Sequence, residues 1–212
     1  MLEGAALWAR VYKSFGRLGA RGPADGPKLM VIPGFLANDR TTLGLQRALA
    51  EAGWRVTGWG LGMNKGATPD KLEQLAAQIE AFGGGDKVIL VGWSLGGIFA
   101  REVAKLRPEL VEKVVTMGSP FSGDPRGNNV WRLYELIAGH PVDDPPIEAN
   151  LAEKPPVPTL ALWSRRDGIV SAACTRGQPH ESDRQLEVDS SHMGFAVSGH
   201  SYPQIIAALR SF

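Results

Sequence analysis

Short runs of apolar residues alternate with amphipathic segments from residue 28 to the end of the chain. The apolar runs predict six short strands, at 28–32, 55–57, 87–91, 113–117, 159–163 and 185–188. The segments between them repeat apolar side chains every three or four positions, which predicts helices at 42–52, 69–82, 95–106 and from about 203 onward. This alternation is typical of an α/β fold with a mostly parallel, roughly six-stranded sheet covered by helices on both faces.

One connection is much longer than the others, since loops between strands and helices usually have about two to six residues. Residues 119–158 separate the fourth strand from the fifth and contain an amphipathic helix, predicted at 130–138. We interpret 119–158 as a small cap insertion over the site, and residues 1–27 as an N-terminal helix plus connector. The whole chain, 1–212, is expected to form a single domain.

The N-terminal residues 1–15 have the apolar periodicity of an amphipathic helix. Their longest apolar run, Ala5 to Ala9, is too short for the core of a signal peptide or for a membrane span. Packing of this helix on the domain is the favoured interpretation. Contact with a membrane surface is the alternative.

Composition narrows the classes of partner. The 212-residue chain has 23 Lys and Arg residues against 22 Asp and Glu, a formal net charge of +1, which argues against a nucleic-acid partner. Cys174 is the only cysteine, so the chain has no internal disulfide and no pair of thiolates for a metal. Together with the lack of a recognisable targeting segment, these features predict a cytoplasmic protein.

The clearest chemical signal is Gly92-Trp93-Ser94-Leu95-Gly96, which fits Gly-x-Ser-x-Gly between a predicted strand and a predicted helix. Glycine on either side of the serine permits a tight turn, because side chains there would collide with the neighbouring strand or helix. The serine then lies at a helix N-terminus, where amide groups and the helix dipole favour developing negative charge. Ser94 is therefore the candidate nucleophile.

With this motif in its strand–turn–helix context, the chain resembles the α/β-hydrolase superfamily from about Lys28 to its end, and within it the lipase-like serine carboxylesterases. The resemblance implies the chain order serine, acid, histidine. His192 follows the last predicted strand, where the family places its base. Asp167 follows the fifth strand in a sequence similar to the family's acid loop, while Asp183 and Asp189 are rivals for the acid.

A hydrolase of this family also directs two backbone N–H groups at the oxyanion that forms during the reaction. The resemblance assigns one to Leu95, directly after the nucleophile, and the other to Phe35 in the loop after the first strand. Pro33 stands where the family often has histidine. Leu36 is an alternative to Phe35 as the second donor.

Residues near these positions are mostly apolar, which favours a substrate with an acyl chain or another hydrophobic group. The predicted substrate contacts are Leu36, Trp93 and Met193, although aromatic and methionine side chains beside such a turn often belong to the core. Asn64 and Lys65 either present polar groups to the site or lie on a surface loop.

These features predict a serine esterase that cleaves a hydrophobic small-molecule ester through an acyl-enzyme on Ser94, with no metal or organic cofactor. Two alternatives fit the same sequence. One is an acyltransferase that uses the same three side chains to pass the acyl group to an alcohol, thiol or amine. The other is a non-catalytic ligand-binding protein that keeps the hydrolase fold.

Overall fold

The computed structural model describes residues 19–123 and 150–212. The helices predicted at the N-terminus and at 130–138 lie outside these residues, as does most of the predicted cap. The strands of the described part are β1 Lys28–Ile32, β2 Arg55–Gly58, β3 Val88–Trp93, β4 Val111–Met117, β5 Thr159–Trp163 and β6 Arg184–Glu187.

Helices lie between these strands and after the last of them. They are α1 Leu43–Glu51, α2 Lys71–Gly83, α3 Leu95–Leu106, α4 Ala172–Arg176, α5 Gly194–Val197 and α6 Tyr202–Arg210, with a short 3-10 turn at Pro108–Leu110. The sequence predicted the four long helices but not the short α4 and α5. Within 19–123 and 150–212, none of the helices combines the length and apolar character needed to cross a membrane.

The strands form one six-stranded sheet in the order β2-β1-β3-β4-β5-β6, and every neighbouring pair is parallel. This confirms the predicted α/β class and sheet. Because all the strands point the same way, the loops that follow them emerge at one edge, where ligands bind in open α/β sheets. The loops that carry the predicted site residues are therefore brought together there.

The sheet is buried on both faces. Alternate β1 side chains divide between two apolar clusters, with Leu29 and Val31 on one face and Met30 and Ile32 on the other. Helices α1 and α6 pack with the first cluster, and α2 and α3 with the second. All residues of the central strand β3 are buried, so the residue that follows it is held on a rigid support.

Arg101 on α3 fixes the chain on both sides of the segment 124–149. The residue is 1% exposed, and its guanidinium lies 4.2 Å from the ring centre of Phe121 and donates to the carbonyls of Glu153 at 3.0 Å and Glu181 at 3.1 Å. Burial lowers its pKa to about 10, so the group stays charged at neutral pH. Helix α3, which follows Ser94, therefore also binds the chain at Phe121 and Glu153, on either side of residues 124–149.

Candidate active site

Ser94 stands at the junction of β3 and α3, in a backbone conformation that side chains rarely adopt. Its φ is 54° and its ψ is −124°. Its N–H donates to the Met117 carbonyl of the neighbouring strand at 2.9 Å. Holding a non-glycine residue in this way costs about 1–3 kcal/mol, and such strain is concentrated at functional sites.

The flanking glycines are required by packing. A Cβ on Gly92 would overlap the Gly96 carbonyl, and a Cβ on Gly96 would overlap the carbonyl of Ile32 on β1. Both obstacles are backbone atoms of buried elements, which cannot move aside. The steric reason inferred from the Gly-x-Ser-x-Gly sequence therefore agrees with the observed contacts.

Asp167 and His192 come together from the loops after β5 and β6. His192 Nδ1 lies 2.8 Å from Asp167 Oδ2, and their side chains are 6% and 0% exposed. The other carboxylate oxygen, Oδ1, accepts the N–H groups of Ile169 and Val170, each at 2.9 Å. These bonds leave the carboxylate one orientation, in which it accepts a hydrogen bond from Nδ1 and leaves Nε2 of the imidazole as the proton acceptor.

Trp93 holds this pair against the nucleophile turn, and Gly118 leaves room for it. The Trp93 indole N–H donates to the His192 carbonyl at 2.9 Å, and the two rings lie 5.6 Å apart. A Cβ on Gly118, after β4, would lie 2.9 Å from Asp167 Oδ2. Ser94 and His192, both in the described part of the chain, share no hydrogen bond in this structure, and bonds of this kind often tighten only in the substrate complex.

The two rival acids are engaged elsewhere. Asp189 is half exposed and accepts a hydrogen bond from Arg166 at 2.9 Å, which lowers the pKa of the Asp189 carboxyl. Asp183 accepts the Thr159 N–H at 2.8 Å. Since Thr159 begins β5, Asp183 lies at the opposite end of that strand from Asp167.

The loop after β1 packs directly on the nucleophile. A Cβ on Gly34 would lie 3.1 Å from Ser94 Cβ, so the two segments touch. Leu36 donates its N–H to the Asn64 carbonyl at 2.7 Å, which argues against Leu36 as the alternative oxyanion donor. Phe35 stays the predicted second donor. Leu95, the predicted first donor, begins α3, where N–H groups have no acceptor within the helix.

Asn64 is a residue whose place the sequence did not predict. It is fully buried, so the surface-loop expectation is wrong for Asn64, whereas Lys65 is exposed as a surface-loop residue would be. Its side-chain Nδ2 donates to the Pro33 carbonyl at 2.8 Å, and its Oδ1 accepts the Gly66 N–H at 3.2 Å. The one local hint was an asparagine in a glycine-flanked loop, which is typical of a turn and not of a contact with a distant loop.

Asp39 joins the same two loops a second time. Its carboxylate accepts the N–H of Trp59 at 3.0 Å and that of Gly60 at 3.1 Å. Burial raises the pKa of the Asp39 carboxyl above its ordinary value of 3.8, and the two amide donors oppose that rise. The loops after β1 and β2 are therefore bound together at two places, through Asn64 and through Asp39.

The predicted substrate contacts fall into two groups. Leu36 and Met193 are 38% and 45% exposed, and Met63 is exposed as well. Trp93 is 3% exposed and supports His192, so its contact with a substrate stays a prediction. In the described residues, no group of three or more His, Cys, Asp or Glu side chains is placed to hold a metal.

The structure places a strained serine at a helix N-terminus and, packed against the same turn, a buried aspartate–histidine pair. A family model described as "alpha/beta hydrolase fold" matches residues 27–135, about half of the chain. The protein therefore belongs to the alpha/beta hydrolase fold family.

Curated relatives match parts of the chain, and two of them show the range. It is 30% identical over 156 residues to the polyketide synthase ThaQ of Burkholderia thailandensis, covering 61% of this chain and 7% of that protein. It is 40% identical over 60 residues to the pimeloyl-[acyl-carrier protein] methyl ester esterase of Salmonella heidelberg, covering 28% of this chain and 23% of the esterase. The chain thus matches less than a quarter of the length of either relative.

Solved structures resemble the chain over most of its length. A membrane phospholipase A described as a bacterial virulence factor superposes with a TM-score of 0.66 at 18% identity, covering 98% of this chain and 91% of that one. The mature lipase BlEst2 of Bacillus licheniformis gives a TM-score of 0.67 at 15% identity, with 89% and 94% coverage. Identities this low establish the shared fold alone.

Proposed function

We propose that the protein is a serine esterase that hydrolyses a carboxylic ester with a hydrophobic acyl or alcohol group. The observation that carries the proposal is the buried Asp167–His192 pair, 2.8 Å apart, held by Trp93 against the strained Ser94 turn. A carboxylate fixes the imidazole orientation, the imidazole accepts a proton, and a hydroxyl attacks, which is the division of labour in a serine triad.

In the proposed reaction the Ser94 hydroxyl oxygen attacks the ester carbonyl carbon while His192 Nε2 takes the hydroxyl proton. The carbonyl oxygen becomes an oxyanion stabilised by the N–H groups of Leu95 and Phe35. The imidazolium then protonates the departing alkoxide, which leaves an acyl-enzyme and an alcohol. Water attacks the acyl-enzyme by the same route, and the acid product leaves with Ser94 restored.

The hydrophobic part of the substrate is proposed to contact Leu36 and Met193, which expose apolar surface at this edge of the sheet. The Salmonella heidelberg relative is named a methyl ester esterase, which supports a carboxylic ester as the substrate class. Each CH₂ group that becomes buried contributes about 0.8 kcal/mol, so an apolar site should show a clear preference for acyl length.

The test is labelling by a fluorophosphonate probe, followed by hydrolysis of chromogenic esters with acyl chains of about 2 to 16 carbons. The wild-type protein should be labelled and turn over at least one ester, and Ser94→Ala should do neither. Ser211→Ala is the matched control, since Ser211 follows α6 and bonds to Arg184 at the far edge of the sheet. A folded wild-type protein that is neither labelled nor active would leave the binding-protein alternative, and product made only with an added alcohol, thiol or amine would favour acyl transfer.

A further inference from the structure

Asn64 makes hydrogen bonds with every polar group it has. Its side chain bonds to Pro33 and Gly66, its carbonyl accepts the Leu36 N–H at 2.7 Å, and its own N–H donates to the Ala37 carbonyl at 2.8 Å. The residue is 0% exposed. Three of its four bonds therefore reach a loop about 30 residues earlier in the chain.

Those three bonds bracket Phe35. Pro33 lies two residues before it, and Leu36 and Ala37 follow it directly. A peptide unit held on both sides in this way has little freedom to tilt or to move along the loop. The peptide unit that carries the Phe35 N–H therefore lies between the points at which Asn64 binds the loop.

The bracketed segment is strained. Among residues 19–123 and 150–212, Leu36 and Ser94 are the non-glycine residues with positive φ, at 57° and 54°. A leucine remains in a left-handed conformation only where its surroundings hold it there. The bond from the Leu36 N–H to the Asn64 carbonyl holds it there, so a second strained residue lies in the loop that packs on the nucleophile turn.

The other side of the loop is packed against the nucleophile turn. A Cβ on Gly34 would lie 3.1 Å from Ser94 Cβ, and a Cβ on Gly96 would lie 2.7 Å from the Pro33 carbonyl oxygen. The loop is confined between Asn64 on one side and the turn on the other. Two of the three bonds use the backbone of residue 64 and survive a substitution, so a change at Asn64 acts on the loop through the loss of the side-chain bond to the Pro33 carbonyl.

From these contacts we infer that Asn64 is a positioning residue that sets the second donor of the oxyanion hole. The inference rests on the proposed esterase function. Asn64 acts through the loop and not on the substrate, so it should affect the transition state much more than substrate binding. An oxyanion gains its hydrogen bonds as the tetrahedral species forms, whereas the ground-state carbonyl depends on them far less.

Asn64→Asp tests this most directly. The substitution keeps the size of the side chain and an acceptor for the Gly66 N–H, but it replaces the donor to Pro33 with a second acceptor. Because loss of one oxyanion donor lowers kcat about 10²–10³-fold, a displaced donor should lower it by about 10–100-fold, with KM changed less than about 3-fold. Affinity for a trifluoromethyl ketone, whose adduct with Ser94 carries the oxyanion, should fall by the same factor as kcat/KM.

Two further variants separate positioning from stability. Asn64→Ser introduces a shorter, uncharged side chain whose hydroxyl cannot reach the Pro33 carbonyl. If Asn64→Asp does not fold, kcat and ketone affinity are measured on Asn64→Ser instead. Thr159→Val is the matched control, because it removes a buried hydroxyl that bonds to Asp183 at the opposite edge of the sheet. Thr159→Val should lower the melting temperature but leave kcat unchanged per active site titrated with fluorophosphonate.

The outcomes distinguish this inference from the proposed function. If the wild-type protein hydrolyses esters and the Asn64 variants lower only the melting temperature, with kcat per site and ketone affinity unchanged, Asn64 has a structural role and the inference is overturned. If the wild-type protein itself is inert toward esters and fluorophosphonate, the proposed function fails and the inference fails with it. Parallel losses in kcat/KM and ketone affinity, absent from Thr159→Val, would support it.

Discussion

Gly118→Ala offers the sharpest test of the aspartate–histidine pair, because it disturbs the pair without removing any of its atoms. Gly118 has φ +58° at the end of β4, and a Cβ there would lie 2.9 Å from Asp167 Oδ2 and 3.2 Å from His192 Nδ1. Reaching an ordinary contact distance of about 3.5 Å requires the carboxylate to retreat by about 0.6 Å. The 2.8 Å bond between the two side chains must then lengthen or tilt.

The size of the effect follows from that displacement. Misplacing a reacting group by about 1 Å costs about 10²-fold in rate, and losing the correct histidine tautomer costs about 10⁴-fold. We therefore expect Gly118→Ala to lower kcat about 10–100-fold. Left-handed backbone adds about 1–2 kcal/mol of instability for an alanine.

Gly84→Ala is the control for that instability. Gly84 is the C-cap that follows α2, with φ +55°, and the nearest atom to its Cβ position is Lys28 Nζ at 3.9 Å, an ordinary contact. Both variants should lose similar stability in urea denaturation, while only Gly118→Ala should lose turnover per titrated active site with p-nitrophenyl esters. Unchanged turnover in Gly118→Ala, or an equal loss in both variants, would refute the reasoning.

Further predictions concern the acid and the pH dependence of stability. Asp167→Asn should lower kcat by about 10⁴-fold, because an amide favours the wrong histidine tautomer. Asp189→Asn should leave kcat for ester hydrolysis within about 3-fold of the wild-type value. If Asp189→Asn causes the larger loss instead, Asp189 and not Asp167 is the acid. Burial raises the pKa of Asp39 in the folded protein above its ordinary value of 3.8. Between pH 3.8 and that raised value, the native state therefore binds more protons than the unfolded state. The contribution of Asp39 to the free energy of unfolding consequently falls as pH rises through this window. The wild-type free energy of unfolding minus that of Asp39→Asn should fall across the same window in denaturant titrations, and a difference that rises or stays flat would contradict the burial argument.

The fold was predictable wherever one local signal determined an element. Strand β5 and helix α3 have the predicted bounds, because an apolar run and a glycine turn mark their ends. Strand β3 runs two residues further than predicted. Gly92 looks like a turn residue in the sequence, yet it continues the ladder opposite Thr116. Helices α4 and α5 have five and four residues, too few for a helical period to be recognised.

The residues of the candidate site also divide into those that a local motif predicted and those that it did not. Ser94, Asp167 and His192 were selected from motifs read within a few residues of each, and the structure brings the three loops to one edge of the sheet. The Asp167–His192 contact itself joins residues 25 apart, and its 2.8 Å geometry comes from the pairing of β5 with β6. The supporting bonds of Asn64 and Trp93 were not predicted, because their partners lie 31 and 99 residues away. A sequence pattern holds no information about such contacts until the sheet order is known.

The strained turn also bears on the choice between catalysis and simple binding. A side chain in the conformation of Ser94 costs about 1–3 kcal/mol, a large share of a domain's net stability of about 5–15 kcal/mol. Burial of the Asp167 carboxylate adds a further desolvation cost, which its hydrogen bonds to His192, Ile169 and Val170 must offset. A protein that only binds an apolar ligand needs neither feature, since its affinity would come from exposed side chains such as Leu36 and Met193. The two costs fall on the serine, aspartate and histidine of the proposed triad, and that coincidence favours acyl chemistry over a binding role.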